Sequence, residues 1–221
     1  MVRPREMKRV ARSQFELWAG SYDRSLLNHF LFRPSYLAFL EEIVRWRGPD
    51  GEPMDLLDIG CGTGTLAAML IASPLKVRVV GLDYAHSMAV AASRKARAAA
   101  ADDRARFTCA DSEHLPFADA SFDVVTCSNS FHHYPDQPRC IREMRRVLRP
   151  GGRLMVIDGF RDNIIGWVTY DVIIDHVEKG VQHATWSQMH DYFQRAGFTD
   201  IRHRKINILF PLLLTIGTAW G

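Results

Sequence analysis

Three glycines at alternate positions, Gly60, Gly62 and Gly64, follow an acid in the run Asp55-Leu56-Leu57-Asp58-Ile59-Gly60-Cys61-Gly62-Thr63-Gly64. Glycine removes the side chain where a ligand must come close to the backbone, and a helix opening near Thr65 presents free N–H groups to it. Together they read as a nucleotide-type site at the carboxyl end of a parallel strand, where open α/β sheets bind ligands. The spacing separates the cofactors. A dinucleotide turn, G-x-G-x-x-G, needs glycine where this chain has Thr65, and a phosphate loop needs a Gly-Lys-Ser/Thr ending that does not follow Gly64. A second acid, Asp83, closes the apolar run that starts at Val77. A carboxylate at the tip of a second strand accepts hydrogen bonds from both hydroxyls of a ribose, although Asp83 is also placed to cap a helix opening near Ala85.

Asp58, Gly60, Gly62 and Gly64 match in full the D-x-G-x-G-x-G motif of the class I S-adenosylmethionine-dependent methyltransferases, and the chain resembles that family over about residues 22–158. Phe107-Thr108-Cys109-Ala110-Asp111-Ser112 is similar to the family's adenine segment, which implies that Asp111 accepts from the adenine amino group. Glu113-His114-Leu115-Pro116-Phe117, Ser121-Phe122-Asp123 and Leu148-Arg149-Pro150-Gly151-Gly152 resemble the branch that includes the ubiquinone and menaquinone biosynthesis methyltransferases. Trp18-Ala19-Gly20-Ser21-Tyr22-Asp23 is similar to the segment before the core in that branch, where the tyrosine lies over the cofactor; Tyr22 takes that role by resemblance. Cys61, Tyr84, Met88, Ser112 and Ser128 adjoin these motifs and are assigned to the same S-adenosylmethionine site.

A sulfonium methyl is already activated, so the protein mainly has to hold the acceptor in line and exclude water; orientation alone supplies roughly 7–11 kcal/mol of such a barrier. A general base adds about 10²–10⁴-fold where the acceptor arrives protonated. The loop Ser128-Asn129-Ser130-Phe131-His132-His133-Tyr134 lies nearest the methyl in this fold family, and His132 or His133 is the candidate base, because histidine titrates near neutral pH. The competing reading is that both histidines only pack beside the cofactor. No metal is expected, since adjacent histidines rarely point to one ion. The loop lacks the Asn-Pro-Pro-aromatic signature of nucleobase-amine methyltransferases, and no Pro-Cys nucleophile is present, so the expected acceptor is a small molecule, apolar or lipid-like, and not nucleic acid. Two rivals stand beside this reading: a nicotinamide-dependent Rossmann oxidoreductase and a non-catalytic S-adenosylmethionine-binding partner protein.

The elements that must position these residues alternate along the chain. Apolar runs over 54–59, 77–82, 106–109, 124–127 and 154–157, separated mostly by helix-compatible segments, predict parallel strands covered on both faces. Pro150-Gly151-Gly152 reads as a tight turn into the fifth strand, a helix is expected over 187–196 with Gly197 as its left-handed stop, and 201–214 reads as two final strands. Ahead of the core, Phe15, Trp18, Tyr22, Leu26 and Leu27 recur at helical spacing, and a second helix is expected to open at Pro34. The fold expected is α/β, a doubly wound Rossmann-like sheet of seven mostly parallel strands. Residues 1–48 form an N-terminal helical cap and 49–221 the core, with 160–185 as a helical lid, all in one structural domain.

The 221 residues are 47% hydrophobic and 24% charged, a globular composition, with a formal net charge of +3. Arg3, Arg5, Lys8, Arg9 and Arg12 against Glu6 make the N-terminus basic, and the expectation there is a solvated, frayed end. Cys61, Cys109, Cys127 and Cys140 have no paired spacing, no secretory leader opens the chain, and the most apolar stretch, 206–220, is interrupted by Pro211 and Gly217. A cytoplasmic protein without a transmembrane segment is expected; peripheral membrane contact and the oligomeric state stay open.

Overall fold

The computed structural model describes residues 8, 9, 12, 13, 16, 26–47, 51–159, 181–206 and 211–220, with side chains from 32 onward in the first long segment. Tyr22, Trp18 and most of the expected lid lie outside them. The elements run α1 (Leu26–Arg47), β1 (Met54–Ile59), α2 (Thr65–Ala72), β2 (Val77–Asp83), α3 (His86–Ala98), β3 (Ala105–Cys109), β4 (Phe122–Ser128), α4 (Gln137–Val147), β5 (Leu148–Gly159), α5 (Trp186–Arg195), β6 (Phe198–Ile206) and β7 (Leu212–Ala219).

The strands form one seven-stranded sheet in the order β3-β2-β1-β4-β5-β7-β6. The pairs β1/β2, β1/β4, β2/β3 and β4/β5 are parallel, and β7 enters antiparallel between β5 and β6. The apolar runs have no polar alternation because successive side chains go to two different cores. Leu57, Val125, Leu154 and Val156 pack with Ile141 and Met144 of α4 and Phe193 of α5, while Leu56, Val124, Met155 and Ile157 pack with Phe39 and Ile43 of α1 and Leu66 and Leu70 of α2. Removing each such side chain from water contributes roughly 1.5–3 kcal/mol, so both faces resist polar substitution.

Three boundaries differ from the sequence reading. The helix α1 runs through Pro34 instead of opening there. Proline inside a helix costs about 3 kcal/mol, and the burial of Ala38, Phe39 and Ile43 against the sheet offsets it. β5 begins at Leu148, because Pro150-Gly151-Gly152 is absorbed as an irregularity in its pairing with β4: Phe122 pairs with Leu148 and Val124 with Arg153. Gly151, at φ 80°, takes the left-handed step that the irregularity needs. The last strand extends to Ala219 and places the apolar tail in the sheet. The expected stop of α5 is present, with Gly197 at φ 81°, and a capping box of Thr185 and Gln188 opens the same helix.

The ring of Phe107 on β3 lies over Gly81 on β2 and reaches Gly64, so β2 and the glycine turn are packed against the same aromatic. A side chain at Gly81 would collide with that ring and lie 2.9 Å from Cys61 Sγ. Gly81→Ala is therefore expected to cost about 1–3 kcal/mol in chemical denaturation, and a loss near zero would show that Phe107 is free to move.

Candidate functional site

The tips of β1 to β4 converge on one open cavity, lined among others by Gly62, Asp83, Met88, Asp111, Ser128 and His133. Gly60, Gly62 and Gly64 all have left-handed backbones, at φ 70°, 53° and 76°. The turn is sewn to β2, since Gly60 N and Cys61 N both donate to Leu82 O at 2.7 and 3.0 Å. The three glycines have different neighbours. A side chain at Gly60 would strike the Ser130 hydroxyl, one at Gly64 would meet Ala92 and Phe107, and one at Gly62 would meet no atom within 4 Å. Gly62 lines the cavity, so its missing side chain leaves room in the place a ligand would fill.

The acids differ as well. Asp58, at the end of β1, is 2% exposed and does not line the cavity. It accepts from Thr126 Oγ1 at 2.8 Å across the β1/β4 pair. Burial, opposed by the Thr126 hydroxyl and helped by the charge of Asp83, pushes its carboxyl up to about 7. Asp83 does line the cavity; its Oδ2 accepts from Gly62 N and its Oδ1 from Ala85 N, both at 2.9 Å. It therefore holds the glycine turn and the N–H of Ala85 just ahead of α3, but it does not cap that helix, whose first-turn N–H groups of His86 and Ser87 go to Glu16. Burial raises its pKa, against the pull of those two backbone donors. Asp111 accepts from Glu113 N at 3.0 Å through Oδ1 and from Lys8 Nζ at 2.6 Å through Oδ2. Burial alone would raise its pKa, but the Lys8 ammonium and the Glu113 N–H hold it below the ordinary carboxylate value.

The two histidines sit on a 3₁₀ turn, Phe131–His133, and part company there. His133 lines the cavity, whereas His132 is 8% exposed and faces Asp158 at the end of β5. His132 N donates to Asp158 Oδ2 at 2.7 Å, and His132 Nδ1 lies 2.6 Å from Asp158 Oδ1, which also takes Gly159 N at 2.7 Å. Asp158 is fully buried, which would raise its pKa, yet the two histidines and the backbone donor hold it at about 2. It is thus an acceptor only, and the proton between the pair sits on His132 Nδ1. The ring of His132 lies 4.2 Å from that of His133 and 4.6 Å from that of His183. His132, Asp158 and His183 place ligand atoms within 4.8 Å of one another. The 2.6 Å contact, however, is a hydrogen bond, shorter than the edge of about 3.3 Å that two ligands keep around a tetrahedral ion.

The remaining assigned residues divide in the same way. Cys61, Tyr84, Met88, Ser112 and Ser128 line the cavity, while Gly64 does not and packs under α3. Sequence reasoning missed Asn129, a non-glycine residue at φ 51°, whose Nδ2 donates to Ser128 Oγ at 2.9 Å and to Ser35 Oγ on α1 at 3.1 Å. It also missed Phe32 and Tyr36 of α1, and Lys8 and Arg12, all on the cavity wall. The signal for the last two was the run of basic residues near the N-terminus, which overturns the expectation of a frayed end at those positions.

Residues 57–156 match the family model described as Methyltransferase domain. The 27-O-demethylrifamycin SV methyltransferase of Amycolatopsis mediterranei (strain S699) is 47% identical over 103 residues, covering 47% of this chain and 38% of that protein. The ubiquinone/menaquinone biosynthesis C-methyltransferase UbiE of Dinoroseobacter shibae is 33% identical over 157 residues, covering 71% of this chain and 62% of that protein. The chain thus spans less than two thirds of the length of either relative. In fold it is similar to the structure described as a complex between the Haloferax volcanii Trm112 methyltransferase activator and the putative methyltransferase. The TM-score there is 0.76 at 22% identity, covering 95% of this chain and 97% of that one. With the glycine turn, the second-strand acid and the sheet order in place, the chain belongs to the class I S-adenosylmethionine-dependent methyltransferases, and ubiquinone and menaquinone biosynthesis enzymes are among its relatives.

Proposed function

We propose that the protein transfers the methyl group of S-adenosylmethionine to an apolar small-molecule acceptor, with His133 taking the acceptor's proton. The observation that carries this reading is the meeting of Gly62, Asp83 and His133, from the tips of three different strands, on one cavity. The residues fit the cofactor. Gly62 leaves its cradle open, and each Asp83 oxygen takes one backbone N–H, keeping a second lone pair for a ribose hydroxyl. Asp111 is assigned to the adenine amino group, and Met88, Tyr84, Cys61 and Ser112 to the walls around the nucleoside. Phe32, Tyr36 and Tyr134 give the cavity aromatic surface, which supports an apolar acceptor, as do the rifamycin and quinone names of the relatives. Against a nicotinamide reading, Thr65 occupies the place of the third glycine and lines the cavity.

When bound, the cofactor supplies a methyl on a sulfonium that needs no further activation. The protein's share is alignment, exclusion of water and management of one proton. His133 faces the cavity, so one of its ring nitrogens receives the proton when the acceptor is a hydroxyl or an acidic carbon. His132 acts as a positioning residue: Asp158 fixes its Nδ1–H, and its ring lies against that of His133. Among the described residues no helix is long and apolar enough to cross a membrane. The four free cysteines support a reducing, cytoplasmic setting.

Incubating the protein with methyl-labelled S-adenosylmethionine and a fractionated cell extract, followed by mass spectrometry, is expected to reveal a labelled apolar metabolite. Cofactor binding without label in any fraction would leave the non-catalytic reading in its place. With the acceptor in hand, His133→Gln is expected to lower kcat by about 10²-fold or more and abolish the acidic limb of the pH profile at nearly constant cofactor affinity. His132→Gln is expected to cost less and to keep that limb. Equal profiles for wild type and His133→Gln would reduce the loop to a steric guide.

Asp58 gives a pH prediction independent of turnover. A carboxyl raised from 3.8 to about 7 holds its proton more tightly in the folded chain than in the unfolded one. Its contribution to stability is therefore present below about pH 4 and is lost as pH rises through 7, by at most about 4 kcal/mol. Asp58→Asn keeps an oxygen for the Thr126 hydroxyl and removes the titration. Between pH 5 and 8 the wild type is expected to lose thermal stability relative to the variant, and parallel melting-temperature curves would refute the assignment.

A further inference from the structure

Lys8, Arg12 and Glu16 each have helical backbone and follow one another at four-residue spacing, the spacing at which helical side chains share a face. That face makes three charged contacts, each with a different element of the cofactor cavity. Lys8 Nζ reaches Asp111 Oδ2 at 2.6 Å and Glu113 Oε2 at 2.8 Å, in the loop after β3. The Arg12 guanidinium lies 5.8 Å from the centre of the Tyr84 ring, after β2. Glu16 accepts from His86 N at 2.9 Å and from Ser87 N at 3.1 Å in the first turn of α3. Ala85 cannot cap that turn with its own side chain, so Glu16 supplies the missing acceptors from about seventy residues away. Arg12 and Glu16 also pair with each other at 3.7 Å.

Lys8 and Arg12 line the same cavity as Gly62 and Asp83. Part of the wall on the nucleoside side is therefore a segment held, at its described residues, by charge and by a borrowed helix cap. Asp111 is shared: one oxygen is taken by Glu113 N and the other by Lys8, so each has one lone pair left for a ligand. Docking of the segment fixes the orientation of the carboxylate that the ligand uses, and a ligand on that carboxylate favours the docked segment. Binding and docking are then linked, and linkage works equally in both directions.

We propose that the Lys8–Arg12–Glu16 face is a clasp that retains the cofactor, with Glu16 as its anchor; the proposal rests on the S-adenosylmethionine reading of the cavity. Glu16 and Lys8 act as positioning residues, through α3 and Asp111. The probe is S-adenosylhomocysteine on the full chain, with its dissociation rate measured by stopped flow. Glu16→Ala is expected to release it about tenfold faster, a coupling of ordinary size. Lys8→Gln, which leaves the α3 cap intact, should shift the rate in the same direction. Raised salt should speed release from the wild type more than from Glu16→Ala, a response that a loss of packing alone would not give. In the reciprocal measurement, saturating S-adenosylhomocysteine should slow tryptic cleavage after Arg9 and Arg12 by about fivefold in the wild type and much less in Glu16→Ala. Dissociation rates within twofold of each other and ligand-independent cleavage would overturn the clasp while leaving the cofactor reading intact. A wild type that does not bind S-adenosylhomocysteine would overturn both.

Discussion

Strand order reverses at β1, and the cavity-lining groups on the strand tips take their positions from that reversal. β1 pairs in parallel with β2 on one side and β4 on the other, so the chain leaving β1 turns one way while the chain leaving β4 turns the other. The connections diverge and leave a crevice above the carboxyl ends of the strands. Gly60 to Thr63 follow β1, Asp83 and Tyr84 end or follow β2, Asp111 and Ser112 follow β3, and Ser128 and Asn129 end or follow β4. Below the tips the central strands β1 and β4 are almost wholly buried, with Leu56-Leu57 and Val124-Val125 as their apolar middle. Asp58 and Thr126, joined across β1 and β4, are the last polar pair before the crevice opens.

That two-sided burial also explains which parts of the fold were legible in the sequence. Met54–Ile59 was readable to the residue because a central parallel strand has one composition throughout, and glycine in the turn is required by φ values that other residues rarely adopt. Pro34 and Pro150-Gly151-Gly152 misled for the opposite reason. Local punctuation there is overruled by tertiary packing, which keeps a proline inside α1 and bends a strand around Gly151. The same holds for the basic residues before α1. A charge run is a solvated face unless partners exist, and the partners of Lys8 lie 103 and 105 residues further along the chain.

In the site, residue type was legible and direction was not. Asp58, Gly60, Gly62 and Gly64 belong to one motif, yet only Gly60 and Gly62 of these four line the cavity. Gly64 gives way to Ala92 and Phe107, and Asp58 sits beneath the turn. His132 and His133 are neighbours of identical chemistry, and no spacing rule distinguishes them; the 3₁₀ turn sends one ring toward Asp158 and the other toward the cavity. Asp158 read only as the end of a strand, because its partner comes from a loop 26 residues earlier.

Asp58 and Asp158 isolate what burial and partners each contribute. Both carboxyls are fully buried at strand ends, yet one is pushed up to about 7 and the other held at about 2. Burial acts on both in the same direction, so the difference lies in the partners. Asp58 has one neutral hydroxyl and a nearby like charge, whereas Asp158 has two imidazoles and backbone N–H groups. A carboxylate held that low does not change its charge anywhere near neutral pH, and so it fixes the Nδ1 proton of His132 throughout that range. Of the adjacent pair on the turn, only His133 lines the cavity, which supports the base role proposed for it. Two identical side chains thus have different surroundings, one bonded to a carboxylate that does not itself line the cavity and the other on the cavity wall.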